Sequence, residues 1–233
     1  MKRICTICAR GGSKGVKNKN IRDLLGQPLI VYTLRQAQEC QLFDIIAMSS
    51  DSQKILDIAQ NYGVDILVNR PPELATDRSA KIPAIQHCVE EVERLSGQKF
   101  DVVVDLDATS PLRLPEDIQS AVSLLETEKI SNVITGTPSR RSPYFNLVEL
   151  GRDSVVRLSK PLNQPIVRRQ DSPKCFDMNA SIYVWQRDVL FNATTVFNPD
   201  TRLFLMPEER SIDIDSELDF EIVELLMRKK SIH

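Results

Sequence analysis

Five short apolar runs, the first four each handing over to an amphipathic helix, constrain this chain more than any other feature. Residues 3–9, 44–49, 65–68, 101–106 and 132–135 are continuous enough in Val, Ile, Leu, Met and Cys to read as strands buried on both faces. Between them, apolar residues recur at helical spacing. Val31, Leu34 and Ala37 follow Pro28, a good first-turn residue. Ile55, Ile58 and Ala59 follow Asp51-Ser52, and Ile85, Val89 and Val92 form a third stripe. Pro115 opens a fourth helix. This βαβα order predicts an α/β fold, a doubly wound and mostly parallel sheet with helices on both faces. Ligands of such sheets bind at the carboxyl ends of the strands. The 233 residues suffice for a single domain over 1–233.

The loop after the first strand has the most chemistry in it. Residues 8–20 read CARGGSKGVKNKN, with Gly11, Gly12 and Gly15 among Arg10, Lys14, Lys17 and Lys19, and no acid before Asp23. Glycines let backbone N–H groups turn toward an anion, and the cations supply charge, so the loop suits a phosphate group. It matches neither the P-loop spacing nor G-x-G-x-x-G. An exposed basic turn is the plain alternative.

Two acidic pairs could hold a divalent cation. In Ser211-Ile212-Asp213-Ile214-Asp215 the acids alternate with apolar residues, so on a strand Asp213 and Asp215 would share one face. Two carboxylates suit Mg²⁺, which completes its octahedron with phosphate and water. Ser216 and Asp219 can then cap a helix through Phe220, Val223 and Leu226. The second pair is Asp105-Leu106-Asp107, and it keeps open a nucleotide-sugar glycosyltransferase. A non-catalytic nucleotide-binding module would need neither pair.

Other classes are disfavoured. The net charge of −2 gives no electrostatic case for nucleic acid or an anionic membrane. No apolar run approaches a membrane span, and the first residues are too short for a signal peptide, so a cytoplasmic location is expected. Five cysteines fit a reducing compartment. Cys5 and Cys8, three apart on a strand, should face opposite ways rather than form a redox or zinc pair. His87 beside Cys88 would diverge around a helix, and His87 and His233 lack ligand spacing.

The alternation stops after residue 136. Residues 138–178 are rich in proline and arginine and hold only short extended pieces around Tyr144, Phe145 and Leu147. So long an insertion is odd in a compact domain unless it packs on something else. A β-rich arm against a second copy, hence a homodimer, is the expectation. Residues 182–185 then return to the sheet.

The motif ARGGSKG followed by KNKN resembles the opening block of the acylneuraminate cytidylyltransferases, the CMP-nonulosonic acid synthetases. Residues 69–77 (NRPPELATD), 108–113 (ATSPLR), Arg169-Gln170, 179–183 (NASIY) and 211–219 (SIDIDSELD) resemble later blocks in the family's order. The resemblance implies a Rossmann-like nucleotidyltransferase with a dimerisation arm that reaches across to its partner. It implies transfer of CMP from CTP to a nine-carbon 2-keto sugar acid, with Mg²⁺ and release of pyrophosphate. Carried over position by position, Arg10, Gly11, Gly12, Ser13, Lys19 and Asn20 would hold the nucleotide and Arg70 would lie near the base. Lys19, Arg10 and Asp215 would serve catalysis, Asp213 and Asp215 would bind the metal, and Asp107, Arg169 and Asn179 would meet the sugar. Three positions depart from the sialic acid pattern. Lys81 stands where serine is usual, Asp107 where glutamine is, and Asp177 where arginine is. DLDAT, with residues 140–147 (RRSPYFNL), is more similar to the CMP-legionaminic acid synthetases. N-acetylneuraminic acid is the alternative sugar.

Overall fold

The first strand, β1 (Arg3–Cys8), sends successive side chains into two different apolar layers. Cys5 and Ile7 belong to one layer, Ile4 to the other, and Cys8 packs against the layer of Ile4. The two cysteines therefore lie on opposite faces, as the strand period requires. The computed structural model describes residues 1–13, 15–77, 79–164 and 166–230, so Lys14 and His233 lie outside the described residues.

The chain continues through a small hairpin of β2 (Asp23–Leu24) and β3 (Gln27–Pro28), then α1 (Leu29–Glu39), β4 (Ile45–Ser50), α2 (Gln53–Asn61) and β5 (Ile66–Asn69). Next come α3 (Lys81–Ser96), β6 (Val102–Leu106), α4 (Pro115–Glu128) and β7 (Asn132–Pro138). The remainder is β8 (Val148–Leu150), β9 (Val156–Leu158), β10 (Phe176–Gln186), α5 (Arg187–Asn192), β11 (Arg202–Leu205) and α6 (Glu217–Lys230). Seven strands form the central sheet in the order β11-β7-β10-β6-β1-β4-β5. Six run parallel. β10 alone is antiparallel, wedged between β6 and β7. The five strands and four helices expected from periodicity are all present. The hairpin β2–β3, α5 and β11 are not legible from the pattern, because each is too short to show a period.

Residues 211–215 do not form the strand that their alternation suggests; among the described residues they join no ladder. The cause lies just upstream. After β11 the Arg210 guanidinium donates to both oxygens of Asp117, at 2.8 and 3.0 Å, on the first turn of α4. That bidentate pair carries the chain off the sheet edge and across the strand ends. The alternation survives in burial only at its end, since Ile212 and Asp213 are both half-buried. Ile214 is fully buried with Val16, Leu24, Leu29, Leu112, Phe220 and Val223, while Asp215 stays exposed. A single backbone bond, Ile214 N–H to Thr109 O at 3.0 Å, pins the segment beside the loop that follows β6. The expected cap then forms. Ser216 N–H donates to Asp219 Oδ2 at 2.8 Å and Asp219 N–H to Ser216 Oγ at 3.3 Å, which starts α6.

Residues 138–178 are poorer in strand than expected. Among the described residues, one ribbon of two three-residue strands, β8 and β9, and a single turn at Arg169–Asp171 are all the regular structure before β10 begins. Leu147, Val148, Leu150, Val155, Val156 and Val167 are exposed there. No helix of the described residues is long and apolar enough to cross a membrane.

Candidate active site

A cleft of about 430 Å³ opens where the carboxyl ends of β1, β4, β5 and β6 meet. It gathers Arg10, Gly12, Ser13, Lys19, Asn20, Arg70, Asp107, Asp213 and Asp215 from four segments of the chain. Sequence reasoning expected all nine at a site. Three other expected residues are placed elsewhere.

The glycine-rich loop owes its shape to close approaches. A Cβ on Gly15 would lie 2.0 Å from the Asp215 carbonyl oxygen, so only glycine lets the two segments touch. A Cβ on Gly11 would lie 2.9 Å from the Ser52 Cβ, and the Gly11 N–H already donates to Asp51 Oδ1 at 2.8 Å. That N–H is therefore engaged by the protein and not turned toward an anion, a correction to the expected role of Gly11. Asn20 Nδ2 donates to the Arg10 carbonyl at 3.0 Å and fixes the start of the loop.

Each cation of the cleft wall has a protein partner. Arg10 pairs with Asp77 at 2.6 Å. Lys19, its side chain 14% exposed, donates to Asp215 Oδ1 at 3.0 Å and to the Ile214 carbonyl. Arg70 is buried and donates to Ser49 Oγ at 3.1 Å and Ser49 O at 2.7 Å, which joins the ends of β4 and β5.

The two acidic pairs have different surroundings. Asp213 lies half-buried beside Asp215, with Asp107 near enough to add its charge. Burial first, and then these neighbouring carboxylates, push the Asp213 carboxyl up to about 6. Lys19 compensates Asp215 alone, so the pair keeps a net negative charge that a divalent ion would neutralise. Among the described residues no three His, Cys, Asp or Glu side chains are arranged to hold a metal. Two carboxylates with the rest of the shell left to phosphate and water is the donor set that Mg²⁺ accepts.

Asp105 and Asp107, by contrast, already have their cation. Lys81 Nζ, from the first turn of α3, sits 3.1 Å from Asp105 Oδ2 and 3.1 Å from Asp107 Oδ2. The Tyr183 ring lies beneath it, 4.4 Å from the ammonium to the centroid. Burial works against the charge on Lys81, but the two carboxylates outweigh it and raise its pKa. Burial likewise works against the Asp107 carboxylate, yet Lys81 and two bonds from Thr109, N–H at 3.0 Å and Oγ1 at 2.7 Å, hold it well below the usual range. The backbone under Asp107 is clamped as well. The fully buried Arg113 donates to the Asp107 carbonyl at 2.9 Å, to Ser181 O at 2.6 Å and to Thr33 Oγ1 at 2.7 Å. Among the described residues no carboxylate bonds that guanidinium, and burial pulls its pKa down to about 10.

Two expected sugar contacts lie outside the cleft. Asn179 is buried, accepts from Thr135 Oγ1 at 2.6 Å and donates to Ser211 Oγ at 3.1 Å. It stands in the β10 bulge before Ala180, whose φ is 52°. Its amide joins that bulge to the segment carrying Asp213 and is not presented to a ligand. Arg169 lies on the arm and donates to the Ser139 carbonyl at 2.7 Å. It lines a separate hollow of about 700 Å³ with Arg141, Lys174 and Phe176. Sequence reasoning named Lys81 only as an unusual residue and gave Arg113 no role. Lys81 meets the acids at the end of β6, and Arg113 meets Thr33 and Ser181, all distant in sequence, so no local spacing announces either.

The family model described as cytidylyltransferase matches residues 4–214. A CMP-N,N'-diacetyllegionaminic acid synthase of Campylobacter jejuni is 47% identical over 229 residues, covering 98% of this chain and 96% of its own length. The post-translational flagellin modification protein B of Campylobacter coli is 46% identical over 229 residues with the same coverage of both chains. Among solved structures, a CMP:2-keto-3-deoxy-manno-octonic acid synthetase complexed with CTP is similar with a TM-score of 0.70 and 17% identity, over 99% of this chain and all of the other. At that identity the likeness shows the shared fold.

Proposed function

This chain belongs to the cytidylyltransferase family, and we propose that its cleft transfers CMP from CTP to the anomeric hydroxyl of a nonulosonic acid, N,N'-diacetyllegionaminic acid, with release of pyrophosphate. The observation that carries this reading is the meeting in one cleft of the glycine-rich cationic loop with Asp213 and Asp215. The similarity to the legionaminic acid synthase supports the choice of sugar.

In this reading the triphosphate lies along Gly12 and Ser13, with Arg10 and Lys19 as charged donors, and Arg70 flanks the base. Asp213 and Asp215 would hold Mg²⁺. When bound, the ion neutralises phosphate charge and sharpens the electrophilic character of the α-phosphorus. Without nucleotide Lys19 balances Asp215 from the protein side, and the metal would take its place there and free the ammonium for the phosphates. Asp107, ionised and fixed by Thr109, accepts a hydrogen bond from the sugar. An acceptor-only group suits a ligand with an additional amide N–H. The sugar hydroxyl attacks in line, the bond from the α-phosphorus to the bridging oxygen breaks, and pyrophosphate leaves. Positioning and charge stabilisation account for the rate.

The exposed apolar residues of 138–178 support a homodimer in which each arm packs on the other chain. Arg169 then belongs to the partner-facing surface, where its guanidinium can meet a sugar carboxylate. Pyrophosphate release tests the reading. Purified protein should turn over only with CTP, a divalent cation and a nonulosonic acid together, and fastest with N,N'-diacetyllegionaminic acid. Equal turnover with a hexose 1-phosphate, or undiminished turnover in EDTA, would overturn it. Faster turnover with N-acetylneuraminic or pseudaminic acid would keep the reaction and replace the sugar.

A further inference from the structure

Lys81 lines the cleft with its ammonium drawn inward to the acids. It sits 3.1 Å from Asp105 and from Asp107 and 4.4 Å from the centroid of the Tyr183 ring, and the side chain is 30% exposed. Asp105 is 1% exposed, and its Oδ1 accepts from Thr6 Oγ1 at 2.9 Å. Its Oδ2 makes no hydrogen bond in the structure and has only the ammonium at 3.1 Å beside it. A buried carboxylate oxygen without a hydrogen bond is costly unless a cation compensates it. Without Lys81, two carboxylates would face each other across the space its ammonium fills.

We infer that Lys81 is a positioning residue whose ammonium fills a latent divalent-cation site between Asp105 and Asp107. By filling it, Lys81 confines the metal to Asp213 and Asp215 and leaves Asp107 as a fixed acceptor facing the cleft. This deepens the reading given under Proposed function and rests on it for the location of the metal. The argument is one of competition. Two Asp-x-Asp pairs border one cleft, both of the type that binds hard cations. One ammonium spans both Asp105 and Asp107, whereas among the described residues Lys19 reaches Asp215 alone, so the pair at residues 213 and 215 still calls for a metal. The other pair is internally neutralised by a side chain that cannot diffuse away. Metal placed at Asp107 would take both the acceptor and the space a sugar needs there, and the lysine forestalls that.

The experiment is a Mn²⁺ titration of the full chain by electron paramagnetic resonance, without CTP. Lys81→Met should bind one more Mn²⁺ per chain than the wild type, and Lys81→Met with Asp107→Asn should return to the wild-type number. Lys81→Arg, which keeps the charge, should not gain the ion. The inference is overturned if natively folded Lys81→Met binds no additional Mn²⁺, or if the extra ion persists when Asp107 is also replaced. Should Lys81→Met lose its native circular dichroism, Lys81→Gln, which can still donate to one carboxylate, serves for the same titration. The two readings fail separately. Absence of pyrophosphate release by the wild type refutes the proposed reaction, whereas an unchanged Mn²⁺ number in an enzyme that turns over refutes only the role of Lys81.

Discussion

Gly15→Ala is the most informative single substitution in this site, because it acts on geometry and removes no charge. The new Cβ would lie 2.0 Å from the Asp215 carbonyl oxygen and 3.2 Å from its carbonyl carbon. Both neighbours are backbone, so no flexible side-chain end can swing aside. The loop and the 213–215 segment must part by about 1 Å before the contact is tolerable. The segment has little freedom to take up that shift, since Ile214 is buried among Val16, Leu24 and Leu29 and its N–H is bonded to Thr109. The displacement therefore falls on Asp215, its Lys19 partner and the loop itself. A misplacement of about 1 Å at a positioned group costs roughly 100-fold in rate, about 2.7 kcal/mol in the transition state. The strain of overpacking costs about 1–3 kcal/mol of stability, so the variant should still fold. Steady-state pyrophosphate release, with the Mg²⁺ concentration varied, is the assay. The expected result is a kcat about 100-fold lower and a raised Mg²⁺ requirement, with native circular dichroism. A folded variant with kcat within about threefold of the wild type would refute the claim that this close approach sets the metal-binding carboxylates.

Asp213→Asn and Asp215→Asn should each lower turnover by about 1,000-fold or more, on the order of 4 kcal/mol, with the fold intact. Near-normal pyrophosphate release by both would move the metal elsewhere. Asp213, pushed up to about 6 by burial and by the Asp215 charge, is a carboxyl whose folded pKa exceeds its unfolded one. The folded state keeps a proton that the unfolded chain has already lost, so stability present below about pH 4 is lost as the pH rises through about 6. After solvent screening, the metal-free wild type should lose roughly 1–2 kcal/mol more than Asp213→Asn between pH 4 and 7. Parallel urea-denaturation profiles for the two proteins would contradict this. Leu147→Asp with Val156→Asp, two exposed apolar positions of the arm, should turn a dimer into a monomer in sedimentation experiments, and a monomeric wild type would refute the arm's proposed role.

How much of this was legible in the sequence depended on whether the signal was periodic or long-range. Strands such as β1 and β6 alternate between two buried layers, and that alternation is written in consecutive residues. Asp213 and Asp215 were legible for the same reason, although the segment is not a strand. The period reports which side chains share a face, and Arg210 with Asp117 decides where the backbone goes. Partners distant in sequence were not legible. The amide of Asn179 looked like a ligand contact until the β10 bulge turned it toward Ser211. Asp105 and Asp213 belong to equally plausible acidic pairs, and only the position of Lys81 tells them apart. The cationic loop gives the same lesson for electrostatics. Counting its lysines and arginines predicts a strongly positive cleft. In the structure Arg10 has Asp77, Lys19 has Asp215, and Lys81 has Asp105 and Asp107. The cleft is a set of local ion pairs and not a uniform positive field. A bare triphosphate would have to break those pairs and meet the carboxylates at 213 and 215. A metal-bound triphosphate offers its cation to the carboxylates and its oxygens to the released ammonium and guanidinium groups. Under the proposed reaction, exchange of partners with little net change in charge would make the metal complex the nucleotide form that fits.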